Sequence, residues 1–130
     1  DKRHLTNGYY LNKEDLKNMQ GWGMNIASHT VNHKWLSTLS ESRQRQEIRE
    51  SIDWLDANNM INEKKAIYFS YPFGDYDENT VNIMMETKVD FSFTCIKGKA
   101  KLSENSEEER HLLKRLDTND LWEEMHQMKY

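Results

Sequence analysis

A single cysteine, Cys95, excludes any disulfide within the chain, so bridges give no view of the redox compartment. Its setting, Phe91-Ser92-Phe93-Thr94-Cys95-Ile96, reads as a strand and predicts a buried, inert thiol. One proline and five glycines leave little punctuation, and no internal repeat emerges. No apolar run reaches the ~18 residues that suggest a membrane span. The start, Asp1-Lys2-Arg3-His4, carries no signal-peptide pattern. An excess of positive charge is also missing: 18 Lys and Arg stand against 22 Asp and Glu, for a net charge of −4. The basic residues are scattered among acids. That excludes the basic face a duplex nucleic-acid binder needs and predicts a mixed, solvated surface.

What is present is one domain's worth of chain, 130 residues, 36% hydrophobic and 31% charged. Four Trp and six Tyr argue against disorder, and the core should be lean. Asn12 and Asp15 predict a capped helix over Lys13–Gln20, stopped by Gly21. Met24-Asn25-Ile26-Ala27 is a short strand candidate leading into Ser28-His29-Thr30. Ile48, Ile52 and Leu55 recur at helical spacing and predict a helix from Ser40 to Asn59, with Glu41, Arg43, Arg45, Glu47, Arg49 and Glu50 on its solvated surface. Ala66–Ser70 reads as a strand that enters the turn Tyr71-Pro72-Phe73-Gly74-Asp75. Asp77 should cap a helix over Glu78–Thr87, with Val81, Met84 and Met85 inward. Phe91–Ile96 and Leu112–Leu116 complete the strands. The charged stretch Lys97–Arg110 reads as an exposed loop. Leu121–Met128 reads as a closing helix, with Asp120 as cap and Glu123 completing a box. Strands alternating with helices predict parallel βα units in an α/β fold, with functional residues gathered where strands end.

His29 and His33 are the sharpest local signal. Two imidazoles at i and i+4 share a face if the backbone turns helically between them, and both nitrogens then reach one divalent ion. They follow the first strand candidate, and the Pro72 turn follows the second, so both loops should open on one rim. Asp75 reads as a turn residue. His4 and His126 read as surface residues. Core or interface packing is the default for Trp22, Trp35, Trp54 and Trp122, and Trp35 is the one to test for stacking on a sugar.

The run Asn25-Ile26-Ala27-Ser28-His29-Thr30-Val31-Asn32-His33, followed by Leu36-Ser37-Thr38-Leu39-Ser40, resembles the His-(Ser/Thr)-x-x-His motif of carbohydrate esterase polysaccharide deacetylases, the nodulation-deacetylase (NodB) homology domains. Phe69-Ser70-Tyr71-Pro72-Phe73-Gly74 resembles that family's third motif, in the Tyr-Pro-(Tyr/Phe)-Gly form of biofilm poly-N-acetylglucosamine deacetylases. The resemblance runs from about Tyr9 to Asp120. It implies that residues 1–130 form part of a distorted (β/α) barrel. It implies metal ligation by His29 and His33, with zinc first and nickel or cobalt as alternatives. It implies an oxyanion donor in the Phe73 backbone amide and sugar contacts from Tyr71, Pro72 and Trp35. The implied activity is metal-dependent removal of N-acetyl groups from a polysaccharide, outside the cell or at its surface.

The family's first motif, an Asp-Asp pair supplying the base and the third ligand, has no counterpart here, which implies a truncated domain, inactive by itself. A non-catalytic glycan- or partner-binding remnant is the alternative, and an exposed barrel edge would then favour a homo-oligomer. No Leu-x-His acid motif occurs either. His111 is the candidate general acid, with an exposed loop histidine as the plainer reading. Ser70 stands where the family often has an arginine, and Arg115 on the last strand is the candidate substitute.

Overall fold

The computed structural model describes residues 10–62, 64–100 and 106–127. His4 and Met128 lie outside these residues, and the side chains of Glu123 and His126 lie outside what is described. The first helix, α1 (Lys13–Gly21), opens with the predicted capping box: Asn12 Oδ1 accepts from the amides of Glu14 and Asp15, and Asp15 accepts from the Asn12 amide. The following segment departs from expectation. Met24–Ala27 forms no strand, and only Ser28 pairs, as an isolated parallel bridge to Phe69. Isolated apolar residues become a strand only where neighbouring backbone takes up their hydrogen bonds. Here that backbone is available at Ser28 alone.

The helix α2 (Glu41–Ala57) buries Ile48, Ile52 and Leu55, as the periodicity predicts, and also Gln44. Burying each of these aliphatic side chains contributes about 1.5–3 kcal/mol, which is enough to fix the helix although its other faces are charged. The sheet is parallel, β1 (Tyr68–Ser70), β2 (Phe91–Lys97) and β3 (Leu113–Arg115) in that spatial order, with Ser28 outside β1. Between β1 and β2 runs α3 (Glu78–Met85), capped by Asp77, whose Oδ1 accepts from the Thr80 amide. Ile83 is buried with Val81 and Met84, whereas Met85 is only half-buried.

In the segment expected as a loop, Glu107–Arg110 is a short helix, α4, capped by Ser106. The closing helix α5 (Thr118–Gln127) starts earlier than expected. Asp117 is its cap, accepting from the amides of Asn119 and Asp120, and Asp120 returns the bond to the Asp117 amide. Among the described residues no helix is long and apolar enough to cross a membrane.

Burial alternates over the first four residues of β2, and Cys95 to Lys97 are exposed. Ser92 and Thr94 are sealed on the face where Phe69 meets Ile48, Ile52, Ile83 and Met84. Phe91 and Phe93 point the other way, half-buried, and Tyr68 stacks on both at 6.0 Å. Cys95 continues that second face and is exposed, not buried as expected; Arg115 Nη2 donates to its Sγ at 2.8 Å. The result is an open, parallel sheet with helices on one face, a partial (β/α) barrel.

Candidate metal centre

The C-terminal end of β1 and the segment after Ser28 open on the same rim, as expected. There the rings of His29 and His33 stand edge-on, with centroids 4.8 Å apart and planes at 69°. They converge without the predicted helical turn. Thr30 (φ 65) and His33 (φ 52) instead adopt the left-handed conformation, and so does Phe73 (φ 59) across the rim. Each costs about 1–2 kcal/mol in an L-residue, and such strain persists only where surrounding contacts hold it, characteristically at functional sites.

Those contacts are explicit. His29 Nδ1 lies 2.7 Å from the Ser70 carbonyl oxygen. A carbonyl can only accept, so Nδ1 carries the proton and Nε2 keeps its lone pair for a ligand. The His33 amide donates to Thr30 Oγ1 at 3.1 Å. From α2, Glu47 takes the amides of Asn32 (2.8 Å) and Val31 (3.2 Å) and the Asn32 Nδ2 group (2.7 Å). Sequence reasoning placed Glu47 on the solvated face; it is half-buried, beside Ile48 and three residues from Gln44 on the border of the buried stripe.

The Pro72 turn, a 3-10 turn over Pro72–Gly74, packs against this loop. The Phe73 ring lies edge-on to His33 at 4.6 Å and stacks on Trp35 at 4.2 Å, within 5° of parallel. Trp35 and Phe73 are about half exposed. No acceptor among the described residues takes the Phe73 amide proton. Gly74 (φ 70) sits directly against Cys95. Asp75 ties the two turns together, one carboxylate oxygen accepting from the Ser37 amide and the other from its hydroxyl, both at 2.8 Å.

Other expected site residues lie elsewhere. Tyr71 and Pro72 are buried and are withdrawn from the sugar contacts. The Tyr71 hydroxyl donates to the His111 carbonyl at 2.9 Å, and burial pushes its phenol pKa up. His111 is not the exposed loop histidine expected: it is 3% exposed, with Nδ1 3.0 Å from Ser92 Oγ on the helix-covered face of the sheet. Burial first, and the Arg110 charge second, hold its imidazole below the ordinary range. No contact among the described residues brings it to the histidine pair. Arg115 is engaged with Cys95. At Asp77, burial pushes the carboxyl up, but hydrogen bonds from Thr80 and Gln44 prevail and hold it below the carboxylate range, as suits a cap. The tryptophans do not pack in the core; all four are exposed.

As a donor set, two imidazoles, one with its tautomer fixed by a carbonyl, fit two positions of a tetrahedral zinc site or a similar divalent ion. Among the described residues no cluster of three or more His, Cys, Asp or Glu could complete it.

The polysaccharide deacetylase family model matches residues 3–92. YxkH of Bacillus subtilis, which carries a polysaccharide deacetylase name, is 33% identical over 98 residues, 75% of this chain and 34% of that protein. Among solved structures, the deacetylase PplD of Streptococcus pyogenes, in complex with acetate, gives a TM-score of 0.74 at 25% identity, over 92% of this chain and 53% of that one. A Bacillus anthracis protein that also carries a polysaccharide deacetylase name gives 0.66 at 26% identity, over 82% and 32%. The chain therefore spans 34% of its curated relative and 53% of PplD. With the histidine pair and the Pro72 turn on one rim and the family model covering most of its length, the chain belongs to the polysaccharide deacetylase family.

Proposed function

We propose that this chain carries the metal-binding and oxyanion-binding half of a hydrolase that removes N-acetyl groups from a polysaccharide outside the cell or at its surface. The observation that carries this reading is the edge-on histidine pair packed against the Phe73 bend, with a free amide beside it. A divalent ion, zinc first and nickel or cobalt next, supplies Lewis acidity toward a carbonyl oxygen when bound. His29 and His33 hold it through imidazole nitrogens. The Phe73 amide is a fixed donor for a developing oxyanion, and the Trp35–Phe73 stack offers an aromatic face to a sugar ring. The Tyr71-Pro72-Phe73-Gly74 form supports a substrate of the poly-N-acetylglucosamine kind. Acetate, the product such a reaction releases, is the ligand in the S. pyogenes relative.

The chain's own carboxylates near the rim are already engaged: Asp75 by Ser37 and Asp77 as a cap. With no third ligand among the described residues, the isolated chain should bind zinc, nickel or cobalt weakly and leave acetylated glucosamine oligomers intact. Calorimetric titration of the chain and its His29→Ala variant, with an acetate-release assay, tests this. Absence of binding, or equal binding by the variant, removes the metal assignment; robust turnover by the pure chain overturns the inactivity. The same lack of a base favours a second reading, a non-catalytic module that binds glycan or a second copy through the outer side of the Ser28 bridge, where no strand pairs among the described residues. Glycan binding without turnover supports it, and a strictly monomeric sedimentation profile counts against the pairing.

A further inference from the structure

The segment between the two histidines is held in a shape it would not keep alone. Two of its residues, Thr30 and His33, have positive φ, and its internal hydrogen bonding is the single contact from the His33 amide to Thr30. His29 is tied to the Ser70 carbonyl and the His33 ring packs on Phe73, but the backbone between the two histidines is fastened to the domain by one carboxylate. Glu47 Oε2 accepts from two successive amides, Val31 at 3.2 Å and Asn32 at 2.8 Å, and Oε1 accepts from Asn32 Nδ2 at 2.7 Å. Successive amides pointing at one anion form a concave nest, here filled by a side chain of the protein itself. Neighbouring charges on α2 do other work: Arg45 and Arg49 pair with Glu86 of the loop after α3, and Glu50 takes Gln46. Glu47 makes no hydrogen bond to either imidazole.

We propose that Glu47 is the positioning residue of the histidine pair. It binds the Val31–Asn32 backbone so that His33, the next residue, stands edge-on to His29 before any ion arrives. Without it, the segment samples shapes in which the rings part, and the ion must bear the cost of ordering them. The proposal rests on the metal-binding reading of the pair. It adds that affinity depends on a carboxylate outside the ligand set, acting through backbone amides.

The test uses the whole chain titrated with cobalt by calorimetry, together with amide hydrogen exchange and thermal melting of the metal-free chain. Glu47→Ala should weaken cobalt binding about 10–100-fold, the range seen when outer-shell partners are lost. It should also remove exchange protection at Val31 and Asn32 while leaving protection along β2 unchanged. Glu47→Gln, whose amide oxygen can still accept from the two backbone amides once Asn32 turns its side chain over, should recover most of the affinity. A merely structural role would lower the melting temperature and β2 protection together and would not be rescued selectively. Cobalt affinity equal to the parent's in Glu47→Ala overturns the proposal while the metal reading stands. A parent chain that binds no cobalt overturns both.

Discussion

Replacing Gly74 with alanine is the sharpest probe of the Pro72 turn, because the cost can be worked out atom by atom. At φ 70 the residue lies where an L side chain costs about 1–2 kcal/mol. The added Cβ would lie 2.5 Å from both the Cβ and the backbone nitrogen of Cys95, and 2.8 Å from its Sγ. The Sγ contact could ease by a rotamer change, but the Cβ and the nitrogen are fixed to the central strand and cannot yield without disturbing the β2 ladder. Overpacking of this kind costs about 1–3 kcal/mol, so the total is about 2–5 kcal/mol. That is a large share of the ~5–15 kcal/mol holding a domain of this size together. Urea unfolding followed by far-UV circular dichroism should show a lower midpoint with an unchanged slope. The double variant Gly74→Ala/Cys95→Gly should recover only part of the loss, because the backbone nitrogen and the unfavourable φ remain. A loss below ~1 kcal/mol, or full rescue by the second substitution, would refute the reasoning that a backbone contact makes glycine obligatory here.

Because burial depresses the folded-state pKa of His111 below its ordinary 6.5, the unfolded chain takes up the proton first. Stability is therefore complete above that value and falls as pH drops toward the folded-state pKa, by at most ~1.4 kcal/mol per pH unit. Urea titrations at several pH values should show this slope flattened in His111→Asn, and an unchanged slope contradicts the burial argument. Gln44 is fully buried and joins Leu39, Asp77 and Thr80 through three hydrogen bonds, so Gln44→Ala should cost about 2–4 kcal/mol by the same assay, and a loss near zero would show that water replaces it. Zinc at ten times its dissociation constant should stabilise the chain by about 1.4 kcal/mol. That gain should vanish with chelator or in His29→Ala.

Much of this architecture is legible in the residues. The Ile48, Ile52, Leu55 stripe marks α2, Asn12 and Asp77 mark two caps, and the run Phe91–Ile96 marks the central strand. Local rules suffice there because each signal acts within a turn or two of its own residue. Met24–Ala27 misleads because strand pairing depends on what lies alongside, and only Ser28 finds a partner. The closing cap slips from Asp120 to Asp117 because both residues satisfy the same box, one three positions from the other. Tyr71 sits in a motif that invites a surface role, yet its hydroxyl finds the His111 carbonyl inside the core. Glu47 is invisible to pattern reading, since its partners are backbone amides sixteen and fifteen residues earlier, and amides leave no mark in a sequence.

The carbonyl that holds His29 belongs to Ser70, 41 residues further along. A synthetic peptide containing only the histidine loop would carry both imidazoles but not that acceptor, and its ring protons would wander between nitrogens. Divalent affinity is thus a property of tertiary assembly, and a spectroscopic ion such as cobalt becomes a gauge of whether the first strand has docked. Conditions that peel β1 from its neighbours should release the ion before the helices melt.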